Sequence, residues 1–257
     1  MAHLFLAHNE SGLSVAIRAL QPQHLRSRIH LRQFNFGCKV LEHLDHPSFP
    51  RYYDQGKQRD GLPWVAMEYV PAPNLRERLH DGQQQLLLQQ QSLLYSMAAG
   101  LSHIHERGFL HMDFKPENLL VLPTGHVKII DFDLALPRPM KLIKLPLAGT
   151  AVYLAPEVLL GQKSDERADI FAFGATAFEL LTGRKPFGSG TPQEMFQRAK
   201  FGTAFDKPPS ILDVNPKFPP KLDRIIRSCL AKNLMTRYPV MSLVVRDLQA
   251  LQTPEPR

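Results

Sequence analysis

The stretch His111-Met112-Asp113-Phe114-Lys115-Pro116-Glu117-Asn118 decides how this chain is read. It sets a carboxylate, an ammonium and an amide at fixed offsets, H-x-D-x-K-P-E-N, just ahead of a short apolar run at 119–122. Eighteen residues after Asp113 stands Asp131-Phe132-Asp133, followed by Gly149-Thr150 and then Ala155-Pro156-Glu157. Taken singly, each aspartate reads as a solvated loop residue or a helix cap. Several such pieces in one order and at one spacing reverse that reading.

Outward from this stretch the chain divides into two textures. Residues 119–122 and 127–130 are short apolar strands around the turn Pro123-Thr124-Gly125. Residues 92–106 carry Leu93, Leu94, Met97, Leu101 and Ile104 at a helical period, and Gly108 ends the run. Further helices are expected at 169–181, 191–200, 221–231 and 240–251, with Pro208-Pro209 and Pro219-Pro220 in the loops between them. Upstream the pattern is strand-rich. Residues 4–7 and 14–20 flank the turn signal Asn9-Glu10-Ser11-Gly12, which suggests a hairpin. A helix is expected over about 29–44, and strands at 52–54 and 64–70. Pro71 and Pro73 then break the pattern and mark a hinge. No internal repeat is evident. The glutamine-rich patch at 83–91 reads as a polar helix face and its lead-in, and 252–257 as a frayed tail.

The bulk numbers fit one compact unit or two small lobes: 257 residues, 44% hydrophobic and 21% charged. No apolar run approaches the length of a membrane-spanning helix. The start, Met1 to Ala7, has no basic region ahead of its apolar residues, unlike a signal peptide. Cys38 and Cys229 do not make a disulfide framework, and buried free thiols in a reducing cytoplasm are expected. The net charge of +7 suits a surface that attracts phosphates or an acidic protein partner. No basic-aromatic interleaving or nucleic-acid motif accompanies it, so no nucleic acid is expected as a partner.

The motif set resembles a eukaryotic-like, bacterial-type Ser/Thr protein kinase domain. The resemblance implies an α+β bilobal fold, with a small β-rich N-lobe over 1–70 and a larger helical C-lobe over 71–257. It also implies transfer of the γ-phosphate of ATP to a protein hydroxyl, with Mg²⁺. Asp113 then matches the acid that orients and accepts from the substrate hydroxyl, and Lys115 the cation aimed at the transferring phosphate. Asn118 and Asp131 match the metal ligands, hard oxygen donors of the kind Mg²⁺ requires. Arg18 stands at the phosphate-gripping position. Ala16, Met67 as gatekeeper, Glu68 and Val70 of the hinge, and Leu120 match the nucleotide-binding surface. Thr150 falls in the substrate-facing loop, against Asp113, in a form typical of the Ser/Thr class. Glu157 is expected to pair with Arg237, Asp169 to fix the backbone of the catalytic loop, and His111 and Phe132 to stack in an apolar spine.

The departures cluster in the nucleotide half. Val15-Ala16-Ile17-Arg18 carries Arg where the family has Lys, and the two cations are not interchangeable. Nine residues before His46-Pro47, where the family has the helix Glu that partners this Lys, stands Gly37. Glu42 is five residues further on and is expected to face elsewhere. On the active-kinase reading, Arg18 is therefore expected to serve the phosphates without a Glu partner. Asp133 replaces the Gly of D-F-G, a position where Gly adopts positive φ, and its carboxylate either binds metal or repels phosphate. The glycine-rich loop is absent, yet residues 1–7 resemble the tail of G-G-M-A-x-V-Y-L-A. This raises the expectation that the chain as given begins late, which the upstream coding frame would test. Met112 replaces the Arg that normally holds a loop phosphate, and 132–148 contain no Ser, Thr or Tyr. Control by a partner, by expression or not at all is then expected, with Arg138, Lys141 and Lys144 either attracting an acidic substrate or partner or merely solvated.

Two readings follow: an active kinase, which explains why Asp113, Lys115, Asn118 and Asp131 coexist, and a pseudokinase scaffold, which explains Arg18, Gly37 and Asp133. A small-molecule phosphotransferase fits poorly with the protein-substrate loop at 149–157.

Overall fold

Alternating, β-branched and aromatic residues build a sheet at the start of the chain, and longer apolar periods build helices after it. The structure, a computed structural model, describes residues 2–8, 12–202 and 205–251. Strands β1 (Ala2–His8), β2 (Ser14–Leu20), β3 (Tyr52–Lys57) and β4 (Pro63–Glu68) form one antiparallel sheet in the order β1-β2-β4-β3. The expected hairpin is present as the β1–β2 pair, with Ala2 opposite Leu20 and His8 opposite Ser14. Its turn at Asn9, Glu10 and Ser11 lies outside the described residues, as do Met1 and the tail at 252–257. On β2, Ala16 pairs with Met67 and Arg18 with Val65 of β4.

Between β2 and β3 runs helix α1 (Arg28–Glu42), whose first turn is capped by the Ser27 hydroxyl accepting from the His30 amide. It buries Phe34, Gly37, Cys38, Val40 and Leu41, a stripe at helical spacing that faces the sheet and the loop beneath it. Glu42 lies exposed on the other side.

After β4 the chain turns helical. Helix α2 (Leu75–Leu88) opens with an Asn74/Glu77 capping box and is kinked at Gly82, where φ is 155°. Helix α3 (Gln90–Glu106) follows almost directly. The glutamine-rich patch is thus the end of one helix and the start of the next, and the first of these was not legible as a separate element. Then come β5 (Phe109–Leu110), β6 (Leu119–Val121), β7 (Val127–Ile129), β8 (Leu136–Pro137), β9 (Ile143–Lys144), α4 (Pro156–Leu159) and β10 (Lys163–Ser164). They form the small pairs β5–β8, β6–β7 and β9–β10. Helices α5 (Arg167–Thr182), α6 (Pro192–Phe201), α7 (Pro220–Cys229) and α8 (Met241–Gln249) complete the body. Helix α5 is buried nearly all round, as its mostly apolar sequence requires, and stops at Gly183 in the left-handed region (φ 69°).

Cys38 and Cys229 are free and buried, and burial pushes the Cys38 thiol up to about 11. Among the described residues, no helix is long and apolar enough to cross a membrane.

Candidate active site

The chain leaves β5 and makes a sharp turn at Met112, whose φ of 67° is a left-handed angle that a methionine rarely adopts. Asp169, buried in the first turn of α5, holds that turn. Its carboxylate accepts the backbone N–H of His111 at 2.8 Å and of Met112 at 2.9 Å. His105 Nε2 lies 3.0 Å from the same carboxylate. Burial alone would push the Asp169 carboxyl up, but the hydrogen bonds from His105 and the His111 amide outweigh it and hold Asp169 below the usual carboxylate range.

The turn delivers Asp113 into a shared network. Lys115 Nζ donates to Asp113 Oδ2 at 2.7 Å and to Thr150 Oγ1 at 2.9 Å. Asn118 Nδ2 donates to the Asp113 carbonyl at 2.8 Å and to Oδ2 at 3.2 Å. The Thr150 amide donates to Asp113 Oδ1 at 3.2 Å, with the Thr150 hydroxyl 3.5 Å from that oxygen. Asn118 and Asp131 are brought side by side by the β6–β7 pair, since the Ile130 amide donates to the Asn118 carbonyl at 2.9 Å. With its nitrogen end on Asp113, Asn118 has its Oδ1 left for a cation. Asp131 is also left-handed (φ 65°), with a side chain 42% exposed. One carboxylate and one amide oxygen fit Mg²⁺, which takes few protein ligands when phosphate oxygens and water complete its shell. Among the described residues no group of three or more His, Cys, Asp or Glu gathers as a dedicated metal cage.

The nucleotide half adds what the sequence did not show. Arg18 has no Glu partner on α1, but its Nη2 pairs with Asp133 Oδ2 and lies 3.4 Å from Asp131 Oδ1. The guanidinium also sits 5.1 Å over the Phe34 ring. Asp133 does not occupy the left-handed region, so it carries none of the strain expected of a Gly replacement there. Its carboxylate is turned to Arg18. A Cβ on Gly37 would lie 3.0 Å from the Phe132 carbonyl oxygen and 3.3 Å from Asp133 Oδ1. The place where the family carries its helix acid is therefore filled by the Asp131-Phe132-Asp133 segment. Burial pushes the Asp133 carboxyl up despite Arg18. Burial would lower Arg18, but Asp133 more than offsets it and holds Arg18 above its ordinary value.

Of the expected nucleotide-binding residues, Ala16 is buried, while Met67, Val70 and Leu120 are half-buried. Glu68 is already engaged: its amide donates to the Arg51 carbonyl at 2.8 Å, and its carboxylate takes Lys128 Nζ at 2.7 Å and the Arg51 amide at 3.0 Å. The Val70 carbonyl accepts from the Ala72 amide at 2.9 Å.

Supporting pairs frame the site. The His111 and Phe132 rings are 5.4 Å apart, and Phe132 lies 6.1 Å from Phe49. Arg237 grips Glu157 with both ends of its fork, at 2.8 and 3.0 Å. Two features were missed in the sequence. Arg76 of α2 donates to Glu117 at 2.8 Å and to Glu179 at 2.7 Å, and also reaches the Tyr153 hydroxyl. It ties the catalytic loop to the substrate loop. Glu179 was the available signal, an acid in the apolar second half of α5 that must find a partner. Arg138 is the second. It pairs with Glu166 and donates to the His105 carbonyl at 3.1 Å, so it is an internal anchor and not a free basic residue.

A sheet-bearing lobe set on a helical body, with Asp113, Lys115, Asn118 and Asp131 converging at the seam, defines a protein of the kinase-like phosphotransferase class. Sequence comparison gives the family: the protein kinase domain model matches residues 2–248, and the chain belongs to that family. It is 30% identical to a probable serine/threonine-protein kinase of Streptomyces coelicolor, over 100% of this chain and 39% of that protein. It is 28% identical to the serine/threonine-protein kinase PrkC of Bacillus subtilis, over 97% of this chain and 38% of that one. With the serine/threonine-protein kinase PknL of Mycobacterium tuberculosis it shares 29% identity over 92% of this chain and 59% of that protein. The chain thus spans less than two thirds of the length of each of these relatives.

Proposed function

We propose that this chain is the catalytic domain of a protein serine/threonine kinase that transfers the γ-phosphoryl group of Mg-ATP to a hydroxyl of a protein substrate. One observation carries the reading: Lys115 bridges Asp113 and Thr150, and Asn118 closes on the same carboxylate, so acid, cation and metal-ligand side chain form one network. A binding module has no need to hold these groups in register.

When bound, Mg-ATP supplies the phosphoryl group and the metal that spreads its charge. The chain's own residues do the positioning, which is most of this catalysis. Asp113 orients the attacking hydroxyl and takes its proton. Lys115 neutralises charge beside it. Asn118 Oδ1 and Asp131 hold the metal, and Arg18 faces the phosphates. Ala16, Met67, Val70 and Leu120 line the nucleotide, with Glu68 tied to Lys128 as the strut behind it. Thr150 presents the substrate backbone, on a loop braced by Arg76 and Tyr153. We divide the domain into an N-lobe over 1–70 and a C-lobe over 71–257, joined at Pro71 and Pro73. The basic surface favours an acidic protein partner over nucleic acid, and two buried free thiols suit the cytoplasm.

The test is Asp113→Asn, assayed for transfer of labelled γ-phosphate to a generic basic protein and to an acidic one, beside Mg-ADP binding. Transfer should fall by about 10² to 10⁴-fold, with binding retained. Equal transfer by both proteins would sink the reading.

A further inference from the structure

Arg18, Gly37 and Asp133 are departures from the family pattern that lie far apart in sequence and meet in space. In the usual arrangement the strand Lys pairs with a Glu on the helix, and movement of that helix makes or breaks the pair. Here helix α1 carries no acid at that place. The acid stands two residues beyond Asp131, on the loop that carries the metal ligand. We propose that Asp133 is the positioning acid for Arg18, so that the pair setting the phosphate-gripping cation has moved off helix α1 and onto the metal-bearing loop. This rests on the kinase reading above and adds to it.

Each of the three residues makes sense only with the other two. A buried carboxylate is costly unless paired, and the Asp133 side chain, 9% exposed, has Arg18 as its partner through Oδ2 while Oδ1 has none. A side chain at 37 would set its Cβ 3.0 Å from the Phe132 carbonyl oxygen, so the loop would have to shift, whereas Gly37 lets α1 close onto it. Arg, not Lys, suits a partner on this side. Both carboxylate contacts use Nη2, so the Nη1 edge of the fork is engaged by neither acid. The Phe34 ring beneath fixes the plane of the guanidinium.

The consequence is regulatory. A swing of helix α1 would move the Phe34 ring but has no ion pair to break, so the charge partner of Arg18 stays on the same loop that positions Asp131. The activation segment agrees with this. Between 132 and 148 it offers no hydroxyl to phosphorylate, and it is pinned by Arg138 on Glu166 and by the β5–β8 and β9–β10 pairs. Both devices that usually gate this fold are replaced by fixed contacts.

A double-mutant cycle tests the proposal in two readouts, unfolding of the ligand-free protein and Mg-ADP affinity by calorimetry. The variants are Arg18→Gln, Asp133→Asn and the pair. Each single change should weaken Mg-ADP binding by roughly tenfold, and the double change should do little more. The same coupling should appear in ligand-free unfolding. Asp133→Gly, which restores the family's usual residue, should also weaken binding and raise KM for Mg-ATP, while Glu42→Ala on helix α1 leaves both unchanged. Additive losses would overturn the proposal. So would Asp133→Gly binding Mg-ADP as tightly as the native chain or more tightly, which would make Asp133 a repelling charge. No binding by the native chain at millimolar Mg-ADP would overturn it as well, since Arg18 would then serve only its acids. Coupling and binding intact, with no transfer, would sink the transfer reading alone.

Discussion

Two of the arginine–carboxylate pairs in this molecule, Arg237–Glu157 and Arg18–Asp133, differ in how completely they are satisfied. Arg237 is 0% exposed, holds Glu157 with both nitrogens, donates to the Ala231 and Arg167 carbonyls at 2.9 Å each, and lies 5.0 Å from the Phe171 ring. Arg18 is 18% exposed, contacts Asp133 and Asp131 through one nitrogen, and leaves Asp133 Oδ1 without a partner. The first pair is closed and holds the substrate loop to the helical body. The second is more exposed and incompletely matched, which suits the proposed contact with a ligand. A pair with every donor matched stabilises the fold, and a pair with an unused edge is available for binding.

The largest expected effect breaks the closed pair. Arg237→Met leaves a buried Glu157 unpaired and should cost about 3–5 kcal/mol in denaturant unfolding. Arg18→Met should cost far less in the same experiment, and equal losses would erase the distinction between the two pairs.

Next comes Asp169, which serves the well-matched half. Its carboxyl is held low in the folded chain, so its contribution is full above the pKa of an unfolded aspartate and is lost as pH falls through the folded value. Asp169→Asn should cost about 2–3 kcal/mol at neutral pH. It should also flatten the acid side of the stability curve below about pH 4. An unchanged acid limb would show that another carboxylate carries that slope.

Arg76→Gln tests whether the catalytic and substrate loops are joined. It leaves Glu179, 5% exposed, with Tyr153 as its remaining partner. A loss of about 1–3 kcal/mol is expected, with a raised KM for protein substrate and little change for Mg-ADP. The smallest effect is Gly37→Ala. In a solvent-facing helix this change stabilises by about 1 kcal/mol. Here the new Cβ meets a backbone carbonyl that yields little, and a net loss of about 1 kcal/mol is expected from overpacking. Net stabilisation would mean that α1 stands further from the loop than the structure has it.

The helical body and the sheet were legible because their signals are local. The apolar period of α3 and the turn signal between β1 and β2 are carried by neighbours in sequence. Helix α2 was hidden because its apolar residues are few and Gly82 breaks its period. The candidate site split the same way. Asp113, Lys115 and Asn118 could be read together because a single tight loop carries them. Arg138 was read as a loop cation because its partner, Glu166, lies beyond the whole segment.

The sequence by itself determined the family, the order of the sheet strands β1 to β4 and of the main helices, and the placing of Asp113, Lys115 and Asn118 on one loop. All of these rest on short spacings that backbone geometry converts directly into proximity. Only the tertiary structure decided what Arg18, Gly37 and Asp133 are for. Read along the chain they are three losses. Folded, Arg18 and Asp133, 115 positions apart in sequence, close into one contact, and the helix that lost its acid is seen to have made room for another. An ion pair is specified by where two charges end up, and the chain between them carries no local signal of that.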